Sequence, residues 1–254
     1  MKLRVLGCSG GIGAGLRTTS FLLDDDVLID AGTGVGDLSL DELSHIKHIF
    51  ITHSHLDHVA FIPFIIDSIF ERITDPVSIY GLPETIKALQ EHIFNWTIWP
   101  DFASLPTKKD AVVRYHTMSA GDVISIGGRQ IEIIPVHHVV PSAGYRVQSG
   151  TGSFAFSGDT TTNDSFWDAL NKHNDLDLLI VETSFTNRQS NIAQLSHHYC
   201  PASLASDLAK LKHSPELYLS HLKPGEEIAI LAEVRVAIQR LHLQSLVGGE
   251  IFYI

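Results

Sequence analysis

His53-Ser54-His55-Leu56-Asp57-His58 places three imidazoles and a carboxylate within six positions, directly after the apolar run 46–51. That run carries β-branched and aromatic residues and reads as a buried strand whose end delivers the histidines into a loop. Extended backbone aims His53 and His55 the same way, while Asp57 and His58 begin the helix that follows. Two histidines can therefore share one cation, and Asp57 with His58 can serve a second. Imidazole nitrogen and carboxylate oxygen suit zinc, manganese or iron, and the lack of nearby thiols argues against a purely structural zinc knot.

The same arrangement recurs along the chain. Val27 to Ile29 leads to Asp30, Ile131 to Val136 leads to His137 and His138, and Phe154 to Phe156 leads through Ser157 and Gly158 to Asp159. Leu178 to Val181 leads to Glu182, and Leu217 to Leu219 leads through Ser220 to His221. In layered α/β proteins, loops converge at strand ends over a rigid sheet, so residues far apart in sequence can meet there. Helices are expected over Pro83 to Phe94, Asp164 to Lys172, Pro201 to Lys212 and Glu226 to Leu241. Leu204, Leu208 and Leu211 give the third of these a buried stripe. The end of the chain reads as a hairpin, or as two short strands around Gly248-Gly249. Together these elements predict two mixed sheets packed face to face with helices outside.

The chain has 254 residues, 44% of them hydrophobic, and no linker-like stretch, which predicts a single domain over 1–254. No charge-free apolar stretch reaches the roughly 20 residues that span a bilayer. The start through Cys8 faintly resembles a lipoprotein cleavage site but lacks a long apolar region, so it reads as a first strand with its own N-terminus. Only two cysteines are present, fitting a reducing, cytoplasmic compartment. The net charge of −11, with 18 Lys and Arg against 29 acids, argues against a large nucleic acid as substrate and leaves a small anion compatible.

The order Asp30, His53 to His58, His138, Asp159 and His221, each just after a strand, resembles the metallo-β-lactamase fold superfamily across nearly the whole chain. The resemblance implies a four-layer αββα sandwich with two divalent metal ions at one edge: His53, His55 and His138 on one, Asp57, His58 and His221 on the other, and Asp159 bridging. Asp30 would orient a ligand without bearing metal.

Within that superfamily the chain is most similar to the class II 3′,5′-cyclic-nucleotide phosphodiesterases and their bacterial relatives. The carrying stretches are HSHLDHVAFI from His53, the run from Tyr80 to Phe102, SGDTTTN from Ser157, and VETSF from Val181. Ala60 stands where the class signature has glycine. The implied product is a 5′-nucleotide, with cAMP or cGMP as substrate. A second resemblance, through His138-x-x-Pro141-Ser142-x-Gly144-Tyr145-Arg146, Glu182 and His198, is to the tRNA 3′-end endonucleases, whose basic, glycine-rich arm is missing here.

His137 and His138 are adjacent, and spacing alone does not separate them; the resemblance favours His138 and leaves His137 either facing outward or supporting a ligand from behind. Glu182 and His198 read as an acid pair, a histidine held by a carboxylate that protonates a leaving alkoxide, with Asp57 and Asp159 completing the catalytic set. Phe94, Trp96, Trp99 and Phe102, within an aromatic helical segment at about 81–117 near the site, could stack on a base, pack into the body or meet a second subunit as a homodimer. Gly10 to Gly15 lacks dinucleotide spacing and reads as a flexible turn beside the site. The competing functions are an RNA 3′-end nuclease, a cyclic-phosphate hydrolase, an aryl sulfatase or, from another class, a non-catalytic metal or ligand sensor.

Overall fold

The computed structural model describes residues 1–239 and 241–254. Its strands are β1 (Lys2–Gly7), β2 (Ser20–Leu23), β3 (Val27–Ile29), β4 (His48–Phe50), β5 (Val77–Gly81), β6 (Val113–Thr117), β7 (Val123–Ile126), β8 (Arg129–Val136), β9 (Ser142–Gln148), β10 (Ser153–Phe156), β11 (Leu178–Glu182), β12 (Glu216–Ser220), β13 (Leu243–Ser245) and β14 (Ile251–Tyr253). They form two seven-stranded sheets, ordered β14-β1-β2-β3-β4-β5-β6 and β13-β12-β11-β10-β9-β8-β7. Each sheet is antiparallel through four strands and parallel through the rest: β3 to β6 in the first, β10 to β13 in the second. The strands that precede Asp30, His53, His138, Asp159, Glu182 and His221 therefore run in register-compatible directions, and their carboxyl ends gather along one edge.

Side-chain alternation builds the layers. Val27, Ile29, Phe50, Phe154, Phe156, Leu178 and Ile180 fill the space between the sheets. Their neighbours Leu28 and Ile49 face one helical layer, and Ala155, Leu179, Val181, Leu217 and Leu219 face the other. Ile62, Ile65, Ile66 and Ile69 lie at helical spacing on Ile62–Ile69 and press on the first sheet. Leu204, Leu208, Ile230 and Val234 do the same for the second. The result is the αββα sandwich.

Two polar contacts tie the sheets together. Buried Arg129 on β8 forks onto Asp26 at 2.6 and 2.8 Å and reaches Asp24 at 3.1 Å, both in the β2–β3 turn. Buried Tyr145 on β9 donates to the Ile51 carbonyl at 2.7 Å, while Ala143 N–H donates to Thr52 at 3.0 Å, fixing the chain just before His53.

Several boundaries differ from expectation. The helices are shorter: Pro83–Ala88 continuing into a wider turn over Leu89–Ile93, Ser165–Leu170, Pro201–Leu208 and Glu227–Ala237. Position 240, inside the expected last helix, lies outside the described residues. The C-terminal strands are not a hairpin. β13 pairs parallel with β12, and the turn at Gly249 (φ 92°) carries β14 across to pair with β1 in the other sheet. Phe94 and Phe102 are buried in the first helical layer, Trp99 packs on Phe64 with ring centroids 5.1 Å apart, and Trp96 is 64% exposed. Two of the four rings are thus core, not a stacking cap.

Candidate metal centre and acid pair

Asp30 leaves β3 in the left-handed region (φ 58°), which turns its carboxylate under the histidine loop. It accepts Thr52 N–H at 2.8 Å and meets His58 Nδ1 at 2.7 Å. Thr52 Oγ1 donates to the same carboxylate and sits 3.0 Å from His53 Nδ1, whose N–H it accepts. His138 Nδ1 donates to the His197 carbonyl at 3.0 Å, and His221 Nδ1 lies 2.9 Å from Ser184 Oγ. With Nδ1 tied in each of these four rings, the bonding pattern assigns the lone pair to Nε2. All four Nε2 atoms face the cleft where the strand ends meet.

Two donor groups result. The ligand atoms of His53, His55 and His138 lie within 4.8 Å of one another, as do those of Asp57, His58, Asp159 and His221. Asp159 Oδ2 stands between them, 3.2 Å from His221 Nε2, 3.4 Å from His58 Nε2 and 3.8 Å from His53 Nε2. His53 Nε2, His58 Nε2 and Asp159 Oδ1 are buried without any hydrogen-bond partner. Orphaned polar atoms in a protein interior are costly, and two divalent cations would satisfy all three, so the residues fit such ions. A mixed imidazole and carboxylate set also suits them chemically.

The electrostatics agree with that fit. Burial keeps His53 well below the usual imidazole range and brings His138 down to about 4, so both are neutral donors. Burial also opposes protonation of His58, but Asp159 and Asp30 on either side outweigh it and push its pKa up. A proton there answers the same negative charge that a cation would. Asp159 is fully buried, which favours its acid form, yet His221 and His58 hold it well below the normal carboxylate range.

Beside these groups lie Glu182 and His198. Glu182, fully buried at the end of β11, bonds His198 Nδ1 at 2.8 Å through Oε1, which also accepts Thr160 N–H at 3.1 Å and Tyr199 N–H at 3.3 Å. Burial disfavours a charged His198, but the Glu182 carboxylate prevails and raises its pKa. His198 therefore keeps its proton more readily than a free histidine.

His137 is exposed and turned outward, its ring tilted against that of His197 with centroids 4.5 Å apart, while His138 is buried. The glycine turn is held at its start, while residues 12–15 are exposed. Gly10 N–H donates to Leu222 at 2.9 Å, Lys223 Nζ donates to the Gly10 carbonyl at 2.9 Å, and a Cβ on Gly10 would come within 2.5 Å of the His221 carbonyl. At Gly158 (φ 60°) a Cβ would meet the Ala143 carbonyl at 2.6 Å, so the turn that presents Asp159 requires glycine.

Three supports were not singled out from sequence: Thr52, the His197 carbonyl and Ser184. Ser184 Oγ is the most connected, donating to Glu182 Oε2 at 3.1 Å, accepting from His221 Nδ1, and lying 3.1 Å from His198 Nδ1. Its position two residues beyond the strand-end glutamate is the signal that could have found it.

Residues 26–242 match the family described as Beta-lactamase superfamily domain, and the chain belongs to that family. A Yersinia pestis protein named "Probable 3′,5′-cyclic-nucleotide phosphodiesterase" is 31% identical over 208 residues, 71% of this chain and 58% of its own length. The 3′,5′-cyclic-nucleotide phosphodiesterase of Aliivibrio fischeri is 28% identical over 251 residues, 82% of this chain and 74% of its own. The chain thus spans somewhat over half of the first relative and about three quarters of the second. A Ribonuclease Z from Bradyrhizobium diazoefficiens is 24% identical over 291 residues, 91% of this chain and 93% of its own. Among solved structures, unliganded yeast PDE1 superposes with a TM-score of 0.83 at 21% identity, covering 100% of this chain and 99% of that one, which shows a shared fold.

Proposed function

We propose that this protein is a dinuclear metal-dependent phosphodiesterase that opens a 3′,5′-cyclic nucleotide to a 5′-nucleotide. The single observation that carries the reading is the junction of two donor groups around Asp159 with a carboxylate-held histidine alongside. Metal ligands alone would serve any hydrolase of this fold. The additional acid suits a reaction whose leaving group is an alkoxide.

His53, His55 and His138 would hold one cation, Asp57, His58 and His221 the other, with Asp159 shared; zinc is the ion we assign to so histidine-rich a set. When bound, the two ions supply positive charge against the phosphate oxygens and make a water acidic enough to attack near neutral pH. The chain's own residues do the rest. Asp30, Thr52, Ser184 and the His197 carbonyl fix the rings so that the reacting groups meet in line. Water adds to phosphorus and sheds one proton to solvent, the P–O3′ bond breaks, and His198 gives its Nε2 proton to the departing ribose oxygen and then regains one from solvent. Glu182 stabilises the imidazolium beforehand and keeps Nδ1 turned away from the substrate. Free Cys8 and Cys200 are consistent with a reducing compartment.

A panel of cAMP, cGMP, bis(p-nitrophenyl) phosphate and an aryl sulfate, offered to zinc- or manganese-loaded protein, decides the matter. Release of a 5′-nucleotide from either cyclic substrate is expected. Turnover of another ester with both cyclic nucleotides untouched would overturn the reading.

A further inference from the structure

One cavity of about 450 Å³ reaches His198 from the side away from the histidine loop. The loop after Asp159 lines it with Thr161 and Thr162, the helix Ser190–Leu195 with Ser190 and Gln194, and the rings of His137 and His197, tilted at 60° to each other, form a wall. The side chains of Thr161, Thr162, Ser190 and Gln194 make no hydrogen bond to other described residues. His197 Nδ1 is itself buried and unpartnered. Among the described residues, the lining contains neither lysine nor arginine.

From these features we infer that the cavity receives the nucleobase of the substrate, with Gln194 and Thr162 bonding its edge and an imidazole of the His137 and His197 wall packing against it. The inference rests on the proposed reaction. If His198 protonates the leaving oxygen, the nucleoside that carries that oxygen lies against His198, and this is a cavity that His198 lines. Its volume falls in the range of small-molecule sites, and free amide and hydroxyl groups match the mixed donors and acceptors of a base edge. Absence of cations is the discriminating feature. A continuing RNA strand would bring further phosphates and call for lysine or arginine along the wall, whereas a cyclic nucleotide brings only a neutral base.

The experiment compares Gln194→Ala and Thr162→Val with the parent protein on cAMP, cGMP and bis(p-nitrophenyl) phosphate, which has no base. For the preferred cyclic nucleotide, the ratio of its kcat/KM to that of the aryl diester should fall about three- to tenfold in each variant, mainly through KM, the size expected for one lost hydrogen bond. Binding of AMP and GMP by calorimetry should weaken in parallel. An unchanged ratio and unchanged binding overturns the inference, as does loss confined to Phe61→Ala, which would place the base in the cleft beside the glycine turn. If the parent protein hydrolyses no cyclic nucleotide yet binds AMP or GMP through Gln194, the reaction falls and the base pocket stands.

Discussion

Replacing Glu182 by glutamine keeps the shape of the acid pair and removes its charge. Oε1 accepts three hydrogen bonds, from His198, Thr160 and Tyr199, and Oε2 accepts one from Ser184, so a buried amide retains an acceptor toward one side but cannot hold an imidazolium. A hydrogen bond between charged partners contributes about 1.5–3 kcal/mol, which corresponds to roughly a 10- to 100-fold loss of kcat for a cyclic nucleotide. The pH profile should change in a defined direction. His198 has a raised pKa because Glu182 outweighs burial; without the carboxylate, burial alone remains and lowers it. The working form is the protonated one, present below the folded-state pKa and lost as pH rises through it. The alkaline limb of the variant should therefore move to lower pH, and its deficit should narrow as the assay is made more acidic. Bis(p-nitrophenyl) phosphate releases a phenolate that needs no proton, so its turnover should suffer much less. Steady-state kinetics on both substrates across pH 5.5 to 9 provide the check. Equal losses on both, or an unmoved alkaline limb, would refute His198 as the acid.

Further outcomes follow from the same contacts. Asp159→Ala should abolish turnover while far-UV circular dichroism stays native, and wild-type rates in that variant would remove Asp159 from the centre. Ser184→Ala frees His221 Nδ1 and should weaken metal affinity about 10- to 100-fold, measured by competition with a chelator. Tyr145→Phe leaves the Ile51 carbonyl unpaired in the core and should cost about 1–3 kcal/mol in urea unfolding; a change under about 0.5 kcal/mol would show that the bond contributes little.

The sandwich and the edge that carries the centre were legible because six strands lead to residues suited to metal chemistry, and the uninterrupted apolar runs Val27 to Ile29 and Leu178 to Val181 match strands buried on both faces. The overestimated helices have a common cause. Leu211 is buried beyond the end of Pro201–Leu208, where the backbone bonds tighten to i−3 turns from Lys210 to Asp207 and from Leu211 to Leu208, so apolar spacing outran the α-helix. Gly248-Gly249 signalled a turn, but sequence carries no sign of which sheet the next strand joins. The rings of 94–102 show a related limit, since an aromatic residue has the same pattern whether it faces a ligand or a core. Ser184 was hidden for a different reason: its role exists only once parallel β11 and β12 set Glu182 beside Ser220 and bring His221 to hand.

Counting metal by mass spectrometry on protein purified with excess zinc or manganese and then desalted decides whether the centre holds two ions. Two equivalents per chain are predicted, falling to one or fewer in Asp159→Ala. A fully active protein that retains one ion, or none, would contradict the account.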